Sequence, residues 1–99
     1  MSSDYTIIRF TITFNQKIEP NSLPEKLTSL TFGHDFNQMI VPNTLPKNLT
    51  NFKFGYKFNQ IIVTSTLPEN LTTLFGYNFN QKIESSSVSK NLTNLLDTI

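Results

Sequence analysis

The chain predicts a β-rich solenoid: a single domain of 21–22-residue coils, each with one short parallel strand and little or no helix. Three observations lead there. The tripeptide Phe-Asn-Gln recurs at Phe14, Phe36, Phe58 and Phe79, at steps of 22, 22 and 21 residues. Other columns keep the same step: Leu23-Pro24, Leu45-Pro46 and Leu67-Pro68; Leu27, Leu49, Leu71 and Leu92, each followed by Thr; Ile18, Ile40, Ile62 and Ile83; Gly33, Gly55 and Gly76. Within a unit, apolar and polar residues alternate over Leu30-Thr31-Phe32 and Phe52-Lys53-Phe54, which is the strand period of two. A fixed period of this size is the sequence mark of a solenoid, in which each unit buries its apolar face only against its neighbours.

Taken in order, the chain reads as a tail over 1–4 and one repeat domain over 5–99. Its units are 5–26, 27–48, 49–70 and 71–91, with a partial one over 92–99. Strands are expected near 7–10, 29–32, 51–54 and 73–75, with a fifth near 94–96. Gly33, Gly55 and Gly76 follow the first strands and are expected to let the backbone turn sharply. On the return half of a unit, Pro24 leaves room before Leu27 for at most one helical turn. Ser22-Leu23-Pro24-Glu25 and Thr66-Leu67-Pro68-Glu69 have the form of a capping box, although Lys47 and Lys90 stand at the last position of the other units.

Stacked coils turn each column into a ladder. Phe10, Phe32, Phe54 and Phe75 form one expected core ladder, and Phe14, Phe36, Phe58 and Phe79 another. Tyr5 heads the Leu27 column. Each such side chain contributes about 1.5–3 kcal/mol when fully buried. Asn15, Asn37, Asn59 and Asn80 can donate and accept at once, so they are read as a structural ladder bonding to turn backbone; Gln16, Gln38, Gln60 and Gln81 are read the same way.

Composition excludes several functions. Hydrophobic residues make up 37% and charged residues 15% of the 99 positions, both below globular averages. Disorder also needs high net charge and few aromatics, whereas the net charge is +1 and nine residues are Phe. That charge gives no reason to expect a nucleic acid or membrane partner. With no Cys, disulfides and thiolate metal sites are excluded. No apolar stretch resembles a signal peptide or a membrane span, so a cytoplasmic or nuclear, non-secreted protein is expected. The seven carboxylates are scattered and His34 is the only His. It adjoins Asp35, but neighbours on an extended segment point apart. No catalytic, cofactor-binding or metal-binding residue is therefore assigned. Asn48-Leu49-Thr50, Asn70-Leu71-Thr72 and Asn91-Leu92-Thr93 match the glycosylation sequon, and are read as by-products of the repeat.

Candidate binding residues lie where the columns vary. On the strands these are the outward positions Arg9, Ser29, Thr31, Asn51, Lys53 and Thr73, with Ile7. After the strands come His34, Tyr56 and Tyr77. Tyr and Arg are favoured at binding hot spots, and a repeat sheet of this kind offers a surface for a protein partner.

The pattern Leu-Pro-x-x-Leu-Thr-x-Leu-x-Phe-Gly-x-x-Phe-Asn-Gln-x-Ile resembles the FNIP repeat, a relative of the leucine-rich repeats, from about Tyr5 to Leu95. It is clearest over Phe14-Asn15-Gln16-Lys17-Ile18-Glu19-Pro20 and from Phe36 to Pro42; Thr64 and Ser85 replace that Pro later. The resemblance implies a leucine-rich-repeat-like solenoid with a strand in each coil. The family is expanded in social amoebae and in the giant DNA viruses that infect amoebae, and its members there often join an F-box to these repeats, which implies substrate recognition. With four residues before the first repeat in this sequence, no F-box is expected within it.

Two departures carry expectations of their own. Unit four lacks one strand residue, since Leu74 is followed directly by Phe75, and this loss should send Phe75 to the opposite face. Leu95-Leu96 repeats the defect. Neither end shows the polar cap that end coils of a solenoid need, so self-association through the ends or marginal stability is expected. A structural, self-assembling role or a drifted repeat fragment is the alternative to partner binding.

Overall fold

The computed structural model describes residues 5–62 and 66–76. Four short strands run through them: β1 (Ile7–Arg9), β2 (Ser29–Thr31), β3 (Asn51–Phe54) and β4 (Thr73–Gly76). They form one parallel sheet in chain order, and Ile8, Leu30, Phe52 and Leu74 stand side by side in register. No helix occurs among the described residues. This is the expected β-rich, leucine-rich-repeat-like solenoid, with strand positions matching to within a residue. The segment near 94–96, the Phe79 and Ile83 rungs, and Asn80 and Gln81 lie outside the described residues.

Why a strand forms here and the chain turns elsewhere follows from the residues. Each strand alternates outward with inward side chains, the inward ones apolar apart from Gly76 and the outward ones polar apart from Ile7 and Phe75, so one face can be buried. Each coil then bends by tight turns. The Phe14, Phe36 and Phe58 amides donate to the Thr11, Gly33 and Gly55 carbonyls, and those of Leu27, Leu49 and Leu71 donate to Pro24, Pro46 and Pro68. Between them, Ser22 and Thr44 donate to Glu19 and Val41. In these turns Asn21 and Asn43 are left-handed, with φ of 66° and 73°. Pro at the first central position and a positive-φ Asn at the second is the type II pattern; the Pro20-Asn21 and Pro42-Asn43 dipeptides carry that signal. The Ser22 hydroxyl donates back to the Glu19 carbonyl at 2.6 Å, toward the preceding turn and not forward as an N-terminal helix cap would.

The core is the set of inward ladders. Leu27, Leu49 and Leu71 are fully buried, as are Leu30, Phe52 and Leu74 on the strands. The phenylalanines stack in two directions. Phe32 lies on Phe36 within its own coil, with centroids 3.8 Å apart and planes 5° apart, and Phe14, Phe36 and Phe58 follow one another across coils at 6.1 Å and 3°. Offset stacking of this kind adds to the area buried. The first coil is less enclosed: Ile8, Phe10, Phe14, Ile18 and Leu23 are partly buried. Tyr5, expected to extend the Leu27 column into the core, is half exposed.

Three expectations change. The backbone does turn after Gly33 and Gly55, whose carbonyls accept from the Phe36 and Phe58 amides, but no glycine has positive φ, so the turn alone does not call for Gly. Gly33 and Gly55 are needed because coils stack too closely for a side chain. A Cβ on Gly33 would lie 2.5 Å from the Thr11 carbonyl oxygen and 2.8 Å from the Ile12 Cα, and one on Gly55 would collide with the Gly33 carbonyl. Second, of the two expectations for Phe75, the place in the core ladder fails and the turn to the opposite face holds. Leu74 pairs with Phe52, Phe75 with the outward Lys53, and Gly76 with the inward Phe54. The missing residue of unit four thus moves Phe75 to the outer face, because strand side chains alternate. Third, the sequon residues have structural work: Asn48 and Asn70 donate through Nδ2 to the Glu25 and Lys47 carbonyls of the preceding coil. The Thr28, Thr50 and Thr72 hydroxyls donate likewise to Thr6, Thr28 and Thr50. Asn91 lies outside the described residues.

Candidate functional site

Columns that hold the coils together leave few residues free for a partner. The Asn15 side chain accepts from the Asn37 amide at 2.8 Å and from Gln38 Nε2 at 3.1 Å. One coil on, Asn37 accepts from the Asn59 amide at 2.8 Å and from Gln60 Nε2 at 3.0 Å. The Asn and Gln ladders are therefore structural, and each rung satisfies a backbone donor that the bend would leave unpaired.

What remains is the outer face of the sheet and the turns after it. Arg9, Thr31, Lys53 and Phe75 stand in one outward column and Ile7, Ser29, Asn51 and Thr73 in another, by the parallel register. Arg9 and Lys53 are exposed; Ser29, Thr31, Asn51 and Thr73 are partly so. Asn51 also donates to the Thr50 hydroxyl at 3.2 Å. After the strands, Ile12, His34 and Tyr56 occupy equivalent positions one repeat apart and are exposed. The His34 and Tyr56 rings stack across coils, 5.5 Å between centroids and 6° from parallel. Tyr77 lies outside the described residues.

The expected separation of His34 from Asp35 fails, because these residues sit in the Gly33–Phe36 turn and not on extended chain. His34 Nδ1 is 2.7 Å from Asp35 Oδ1, and Lys57 Nζ is 4.0 Å from the same oxygen. The hydrogen bond to His34 holds the Asp35 carboxyl below its ordinary range, opposed by desolvation and helped by the Lys57 and His34 charges. Among the described residues no group of three or more His, Cys, Asp or Glu converges as a metal site would, and no helix is long and apolar enough to cross a membrane.

On this face lies a depression of about 440 Å³, lined by Thr31, Lys53, Phe75, His34 and Tyr56 with Phe32, Phe54, Gly33 and Gly55. A second depression, of about 470 Å³, lies on the return side among turn residues such as Asn21, Asn43 and Lys47.

A comparison with curated proteins gives no match. Among solved structures, the chain is similar to CroV588, described as a novel circular leucine-rich-repeat protein. The TM-score is 0.92 and the identity 43%, over 97% of this chain and 14% of that one; the chain spans only this small part of the protein it resembles. Repeats of this kind are generally non-catalytic and suit an interaction scaffold. The FNIP repeat model matches residues 14–57 and 58–95, covering most of the sequence, and the chain belongs to the FNIP repeat family.

Proposed function

We propose that this chain is a non-catalytic protein-interaction module that meets its partner with the outer face of the sheet. The observation that carries this reading is a division of labour among columns. The Asn, Gln, Thr and Gly columns are taken up by coil-to-coil contacts, whereas Arg9, Lys53, His34 and Tyr56 vary from coil to coil and share one exposed side. Arg and aromatic side chains around an apolar depression are the composition of interface hot spots. The partner is a protein and not a nucleic acid or membrane, since a net charge of +1 supplies little phosphate attraction. Substrate recognition, as in family members that carry an F-box, is the form of binding this reading favours, in the cytoplasm or nucleus. Affinity capture with the wild-type chain and with an Arg9→Glu, Lys53→Glu variant tests it. Recovery of a specific partner by the former and its loss from the latter is expected; equal recovery by both removes the strand face from the reading.

Self-association is a second reading, favoured by the first coil. Among the described residues no strand pairs with the outer edge of β1, and Phe10 and Phe14 beside it are only partly buried. Edge strands of this kind template pairing with another chain. Light scattering that finds a monomer at every concentration would exclude it.

A further inference from the structure

The outer face holds one apolar site that the repeat pattern alone would not create. Wherever a unit keeps its full length, the residue two after the inward Leu30 or Phe52 position is an inward Phe: Phe32 in the second coil, Phe54 in the third. In the fourth coil the missing residue places Phe75 in the outward column beside Lys53. There it lines the same depression as Gly33, Gly55 and the stacked His34 and Tyr56 rings. Gly33 and Gly55 contribute no side chain to its lining. An apolar trench lined by aromatic side chains results, open to the outside.

We propose that this trench seats one bulky apolar side chain, Leu, Ile or Phe in character, from an extended acidic segment of the partner, with Phe75 as the wall that grips it. The inference rests on the strand-face reading above and deepens it by naming the partner's chemistry. The lining sets the first half: sites that take apolar groups are lined by apolar and aromatic side chains with a few polar ones, as this depression is. Its open volume of about 440 Å³ admits a bulky side chain together with part of the segment that carries it. Charge sets the second half. Arg9 and Lys53 stand in the same outward column as Phe75, and Lys57 adjoins the Tyr56 wall. Among the described residues of this face the only carboxylate is Asp35, which already meets His34 and Lys57. The rim is therefore net cationic and complements acidic residues flanking the anchor, while it repels a basic segment.

Selection from a random-peptide phage library on the intact chain tests this, followed by titration of the enriched peptides in synthetic form. Enriched peptides are expected to share one bulky apolar residue next to Asp or Glu. Their affinity should fall at least about tenfold, a loss typical of an anchor pocket, in Phe75→Ser and, independently, in Thr31→Arg, which fills the trench from its side. Thermal melts establish that both variants are folded, and Phe75 and Thr31 both stand on the outer face. Peptides without the apolar–acidic pairing overturn the proposal, as do affinities unchanged within about twofold in both variants. Peptides weakened by Arg9→Glu but by neither trench variant overturn the trench and leave the strand face standing. Peptides indifferent to all three variants overturn both.

Discussion

The Phe54 ring occupies the space that a side chain at Gly76 would need: a Cβ built on Gly76 would run into Phe54 Cε1. The two residues are register partners on β3 and β4. Where its counterpart Phe32 lies flat on Phe36, 5° from parallel, Phe54 is tilted by 43° against Phe58. The shortened unit thus loses a rung of its phenylalanine ladder, and the preceding rung turns to cover the gap.

Gly76→Ala should therefore destabilise the fold although Ala is the better strand residue. Overpacking of this kind costs about 1–3 kcal/mol, read as a fall in the urea midpoint. Phe54→Leu in the same chain should recover part of the loss, because the two sites are in contact and their effects do not add. Strict additivity of the two substitutions would refute the packing account.

Asn37→Ala removes one acceptor that serves two donors, the Asn59 amide and Gln60 Nε2. Gln60 Nε2 keeps its bond to the Asn37 carbonyl, so the loss is mainly that of the bond to the exposed Asn59 amide. It should cost about 0.5–1.5 kcal/mol, and hydrogen exchange at the Asn59 amide should quicken. Asn37→Asp keeps the acceptor and should lose less. Equal loss from both variants would show that the bond to the Asn59 amide is not what the column supplies.

Thr44 is a counterexample to full satisfaction. Its hydroxyl is buried without a hydrogen-bond partner, as is that of Thr66, whereas Ser22 at the equivalent position is exposed and bonded to Glu19. Thr44→Val, of the same shape, should raise stability by about 1 kcal/mol or more, since burial of an unpaired hydroxyl costs about that much. A lower urea midpoint in this variant would refute the assignment.

The Asp35 carboxyl offers a check by pH. Its pKa is lowered, first by the His34 hydrogen bond, so the contribution of this contact to stability is present above the ordinary carboxylate pKa. It is lost as pH falls through the lowered value. His34→Ala should move the Asp35 titration, followed by carboxyl NMR, upward toward the ordinary range near about 3.9. No movement would mean that the bond does not form in solution.

Much of this architecture was legible in the residues. The 22-residue step and the period-two alternation set the strands and their inward face, and the single deletion between Leu74 and Phe75 foretold that Phe75 would turn outward. These are properties of the local chain: a parallel strand has two faces, and a lost residue exchanges them. The tertiary structure decided what depends on the gap between coils. Gly33 and Gly55 looked like turn formers but serve close approach, because their constraint comes from residues 22 positions away. Asn48 and Asn70 looked like coincidental sequons until the carbonyls of the preceding coil stood within bonding distance. The trench under Phe75 belongs to the same class, since its walls come from three coils and exist only once those coils are stacked.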